Sequence, residues 1–196
     1  MLMRLQNRLD RTDLAEQLIL RPLEAWAQMP QTEEIHLMVG YSNSAQSQRA
    51  LDLTLCMAHQ TRLATSRPVT VQVVYVVEDE VRMPVVASKG RSSLVLAPGP
   101  TTAQVAMDRA AQFEKADGIL WQARCLAEEW RGSLRTHLRF GDVASELRRV
   151  VASESASMLV LGCETSDHAL IRSLGRNFPC PVLGVPDWLG DSLSNS

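Results

Sequence analysis

Paired cysteines, a surplus of one charge and long apolar runs are all missing from this sequence. Its four cysteines, Cys56, Cys125, Cys163 and Cys180, stand far apart, with no C-x-x-C pair and no nearby histidine at a spacing that suggests a zinc site. They read as reduced, mostly buried thiols. The formal charge is -2, with basic and acidic residues mixed along the chain, so the broad cationic face that duplex-binding proteins turn toward phosphates is lacking and nucleic acid is excluded as the default partner. No apolar run approaches the roughly 20 residues that span a bilayer, which argues against an integral membrane segment. Residues 1–10 carry Arg4 and Arg8 without an uninterrupted apolar stretch or a small-residue cleavage pattern, so a secretion signal is not predicted and the cytoplasm is the expected location. No Ser-His-Asp order, metal cluster or paired carboxylate stands out, and no enzyme activity is predicted.

What remains is a chain of 196 residues, 45% hydrophobic, sufficient for one domain with a substantial core plus an appendage. Ile35-His-Leu-Met-Val-Gly40 is short, apolar and followed by a polar turn, the pattern of a buried strand. Ser44 is placed to cap a helix whose apolar face includes Ala50, Leu51, Leu55 and Met57, stopped by Ser66-Arg67-Pro68. Val69 to Val77 is rich in β-branched residues and reads as a central strand. Residues 78–100, punctuated by Pro84, Gly90 and Pro98-Gly-Pro100, form a long excursion. Thr101 or Thr102 then opens a helix with Ile119, Ala123, Leu126 and Trp130 on one face, which Gly118 bends or divides and Gly132 ends.

Leu134, Thr136, Leu138 and Phe140 alternate with Arg135, His137 and Arg139, predicting a strand exposed on one face. Gly141-Asp142 turns into a helix over residues 143–155, residues 158–161 are a compact strand, and a last helix over residues 167–176, capped by Ser166 or Asp167, leads to a closing strand in residues 180–185. Strand and helix alternate throughout. That order predicts an α/β domain over residues 34–187, with a five-stranded, mostly parallel sheet and helices on both faces. Residues 1–33, with Leu5, Leu9, Leu14 and Leu18 before Pro22, read as an N-terminal helical extension, and residues 188–196 as a flexible tail.

Three stretches stand in a known order. Val39-Gly-Tyr-Ser-Asn-Ser-Ala, Gly141-Asp-Val-Ala-Ser-Glu-Leu147 and Ser157-Met-Leu-Val-Leu-Gly162, the last followed by Pro179-Cys-Pro-Val-Leu183, resemble the first strand, a helix entry and the last two strands of universal stress proteins. The resemblance covers about residues 35–186 and implies the adenine-nucleotide α-hydrolase-like fold. It also implies dimerisation through the closing strand, from Cys180 to Val185, and an ATP site in many members. The aspartate that contacts the nucleotide in the family is Ser42 here, and the phosphate-wrapping loop G-x2-G-x9-G-[ST] maps from Gly162 onto Thr165, Gly175 and Arg176. With Val74, these are the residues of an ATP-binding switch or weak ATPase.

The same residues are needed for the last helix, where Leu170, Ile171 and Leu174 give an inward face, so the helix is the reading adopted and no cofactor is expected. The function expected from the resemblance is a regulatory or scaffolding homodimer acting through protein contacts, with weak or absent ATP binding. An unidentified protein partner is expected at the N-terminal arm or the 78–100 excursion. His168 reads as solvated rather than catalytic, Arg172 and Arg176 as solvated or anion-facing, and Cys163 as a core residue or a redox thiol.

Overall fold

A computed structural model describes residues 19–21, 33–78, 102–130, 133–163, 165, 167–175 and 177–185. The elements are strand β1 (Ile19–Arg21), strand β2 (Ile35–Gly40), helix α1 (Ala45–Thr65), strand β3 (Val69–Val77), helix α2 (Thr102–Glu129), strand β4 (Ser133–Phe140), helix α3 (Val143–Ser153), strand β5 (Met158–Leu161), helix α4 (Ala169–Leu174) and strand β6 (Val182–Gly184). They form one sheet in the order β1-β6-β5-β2-β3-β4. The five strands from β2 to β6 run parallel.

Side chains alternate across the sheet, and each face has its own core. Leu37, Val39, Val71 and Val73 pack with Leu51, Leu55, Ile119 and Ala123 of α1 and α2 on one side. Met38, Val74, Leu159 and Val182 pack with Leu147, Val150, Ile171 and Leu174 of α3 and α4 on the other. Right-handed crossovers explain the division: β2-α1-β3-α2-β4 builds the sheet in one direction, and β4-α3-β5-α4-β6 builds it in the other. The direction reverses between β2 and β5.

The cap at Ser44 is as the sequence predicts, and Asp142, read as part of the turn into α3, caps that helix; each side chain accepts from the amide three residues on. α2 differs: it runs unbroken through Gly118, because the position where a Cβ would sit is open space and the helix loses no packing there. β4 lies at the sheet edge, and its side chains are mostly half-buried on both faces rather than exposed on one.

The 78–100 excursion lies outside the described residues apart from Glu78, as do the tail and most of the N-terminal arm. The described part of that arm departs from the helical reading. Ile19–Arg21 is a strand, antiparallel to β6, with Ile19 opposite Leu183 and Arg21 opposite Val182. The outer edge of β6, expected to face a second copy, is therefore occupied by the same chain.

Candidate functional site

Where the direction of sheet building reverses, the loops leaving adjacent strands diverge and open a crevice at the strands' carboxyl ends. A cleft of about 930 Å3 lies there, within the roughly 300–1,000 Å3 of small-molecule sites. Its floor is Gly40, Val74 and Leu161; α1 contributes its first turn, α2 contributes Lys115, and His168 stands at the start of α4.

The wall between β2 and α1 is held by its own polar groups. Tyr41 is buried and its hydroxyl donates to Asn43 Oδ1 at 3.2 Å. Asn43 adopts φ 62°, a left-handed conformation that asparagine tolerates better than most residues. Gln48 Nε2 donates to the same Oδ1 at 2.9 Å. Ser42 N–H donates to Ser47 Oγ and Ser42 Oγ to Ser44 Oγ, each at 3.2 Å, while Ser47 Oγ donates to the Ser44 carbonyl at 2.9 Å. Ser42 is thus an exposed member of the α1 cap, its proton already engaged.

The phosphate-loop positions separate in space. Ser42, Val74, Gly162 and Thr165 line the cleft. Gly162 approaches α1 so closely that a Cβ there would lie 2.5 Å from the Gln46 carbonyl carbon; helix backbone fills the space over it. Thr165 is exposed and its carbonyl accepts from His168 N–H at 3.3 Å. Only residues 163–168 separate Gly162 from the start of α4.

Gly175, at φ 73°, ends α4, its amide donating to the Arg172 carbonyl. It faces Arg148, which donates to the carbonyls of Leu174 and Asn177 and stacks 5.3 Å over Phe178. Gly175 is outside the cleft lining, and Arg176 lies outside the described residues. The last helix begins at Ala169, later than Ser166 or Asp167 would start it, because His168 is the cap: its Nδ1 accepts from Leu170 N–H at 3.3 Å. That bond fixes the neutral ring as the Nε2–H tautomer.

Lys115 and Glu78 are the lining residues with a full charge at neutral pH among those described, and their signs oppose. Cys163 is buried beneath the rim, and burial pushes its thiol up to about 11, which keeps it protonated and a poor nucleophile at neutral pH. Burial likewise pushes Cys180 up to about 12. Among the described residues no group of three His, Cys, Asp or Glu side chains is placed to hold a metal, and no helix is long and apolar enough to cross a membrane.

Sequence reading missed Tyr41, Gln46 and Lys115 as cleft residues. The Gln112, Lys115, Ile119 spacing on α2 was the available signal for one of them: it places Lys115 on the side of the helix that also carries buried Ile119.

A family model described as the universal stress protein family matches residues 36–186. No curated protein matches the sequence. Among solved structures, a protein of that family from Burkholderia pseudomallei is 21% identical with a TM-score of 0.52, the alignment covering 80% of this chain and 99% of the other. A universal stress protein from Lactobacillus plantarum is 14% identical with a TM-score of 0.54, covering 77% and 97%. One from Arabidopsis thaliana, with AMP bound, is 15% identical with a TM-score of 0.52, covering 78% and 91%.

Proposed function

Because the chain belongs to the universal stress protein family over residues 36–186, we propose that it is a regulatory or scaffolding protein acting through protein–protein contacts as a homodimer, with weak or absent ATP binding. One observation carries the nucleotide part of this reading. The chain passes from Gly162 into α4 at Ala169, and Gly175 serves as the stop of that helix instead of returning to the cleft. A triphosphate needs several amides and cations converging on its oxygens. Here the Ser47 amide of the α1 turn is taken by Ser44, and Lys115 is the cationic side chain among the described lining residues, which also include Glu78. The contact part draws on the family resemblance, which implies a second copy at the closing strand, residues 180–185; in this structure β1 of the same chain lies along that edge.

The alternative reading, an ATP-binding switch or weak ATPase, draws on the cleft itself, whose volume accommodates a nucleotide, and on the AMP in the Arabidopsis relative. Equilibrium dialysis with labelled ATP and labelled AMP, each with magnesium, separates the two. The regulatory reading expects no ATP retention at micromolar concentrations. Micromolar retention that disappears in Ser42→Trp, where a large ring fills the cleft rim, overturns it in favour of the switch.

A further inference from the structure

The outer edge of β6 is where the chain's own arm and a second copy would compete. Leu159 N–H donates to the Pro181 carbonyl and Val185 N–H donates to the Leu161 carbonyl. Those bonds turn the polar groups of residues 181, 183 and 185 toward β5, so by alternation Val182 and Gly184 direct their N–H and C=O groups outward. β1 answers them from the other side, but it is three residues long and its register shifts between Ile19 and Arg21. Short pairing of that kind sits at the low end of local stability and opens readily.

An outward edge of this kind is also self-complementary. Two copies related by a two-fold axis can place β6 against β6 antiparallel, the same residues meeting on both sides and the same backbone groups being satisfied. β1 already runs antiparallel to β6, so it holds the position and direction that the second copy's strand would take. It holds them with the advantage of a tether: residues 22–34 join β1 to β2, and a short tether gives an effective local concentration on the order of millimolar.

We infer that β1 is a displaceable placeholder on the β6 edge, and that the partner it excludes is a second copy of this chain, so that arm release controls dimerisation. This rests on the homodimer reading above. Any ligand or protein that captures the arm in its released form shifts the population toward the dimer by mass action.

The full-length chain and its Leu20→Pro variant test this. Proline at the centre of β1 removes a backbone donor and disfavours sheet pairing. Sedimentation velocity over a concentration series gives the association midpoint, and amide exchange followed by mass spectrometry or NMR reads Val182 and Gly184. β3 amides serve as the control that the domain is folded.

The expected result is a midpoint at least about tenfold lower in the variant, since both copies of the parent must release an arm before they pair, and arms closed about two-thirds of the time already give that factor. The Val182 and Gly184 amides should be protected in the parent monomer, exposed in the dilute variant and protected again as it associates. Equal midpoints in parent and variant overturn the placeholder and leave the dimer reading standing. A variant whose Val182 and Gly184 amides exchange rapidly while it stays monomeric at every concentration overturns both.

Discussion

A methyl group added at Gly162 has nowhere to go, since it would meet the carbonyl carbon, oxygen and Cβ of Gln46 at 2.5, 2.6 and 2.8 Å. The neighbour is the backbone of α1's first turn, which cannot swing aside as a side chain can. Gly162→Ala should therefore lose about 1–3 kcal/mol of stability, the usual cost of overpacking, measured as a lower urea midpoint with unchanged slope. The same comparison shows where sequence reading reaches its limit at the site. Gly162 and Gly175 have the spacing of a phosphate loop, yet one is a packing contact with a helix far away in the chain and the other a helix stop. Neither role leaves a local mark, because each depends on what the folded chain brings opposite. Ser42, by contrast, sits at the cleft rim where the first strand's ending implied.

At the scale of elements, what can be read is what is locally determined. β2, β3 and β5 are short, largely apolar runs, broken by His36, Thr70 and Gln72, and mostly buried, and parallel central strands announce themselves that way. Ser44 was visible as a cap because its side chain does the capping itself, and Asp142, read as the turn into α3, caps in the same way. Asp142 accepts from Ser145 N–H at 2.8 Å, and hydrogen bonding from the Ser145 side chain and then from its amide holds the carboxyl below the ordinary value of 3.8. Asp142→Ala should cost about 1 kcal/mol. The contribution is present above pH 3.8 and fades as the pH falls through the lower folded value, so parent and variant should converge in urea titrations run in strong acid. The start of α4 was misplaced because histidine is an unusual cap. β1 was illegible because Ile19-Leu-Arg21 follows a leucine stripe at helical spacing; its strand conformation comes from pairing with β6, and tertiary context overrides local propensity.

Across the whole molecule, the two apolar cores are not equally dry. On the side of α3, a polar seam crosses the sheet. Glu154 Oε2 accepts from Gln72 Nε2 at 3.3 Å, and Gln72 Oε1 accepts from His137 Nε2 at 2.7 Å. The Glu154 carbonyl is 2.7 Å from His36 Nδ1, which donates to it. Gln72 is fully buried, so both ends of its amide depend on these partners. Burial holds the His137 ring below the ordinary value of 6.5, against the opposing pull of Glu154 and with the help of Arg139 and Arg135. A lowered histidine favours the neutral fold: stability is full above pH 6.5 and declines below it, as the unfolded chain takes up its proton first, until the folded ring is also protonated. Thermal unfolding from about pH 7.5 to about pH 5 should show this decline in the parent and a smaller one in His137→Gln.

The sheet also joins the beginning of the described chain to its end, since β1 meets β6. During synthesis, which proceeds from the amino end, β1 emerges first and waits for the last strand to be made. A pairing between such distant segments is among the slowest to form. The clasp thus closes only on a finished domain, and a nascent or clipped chain without β6 leaves β1 with no seat. Any delay between completion of β6 and arrival of β1 is also the interval in which a bare strand edge is open to aggregation.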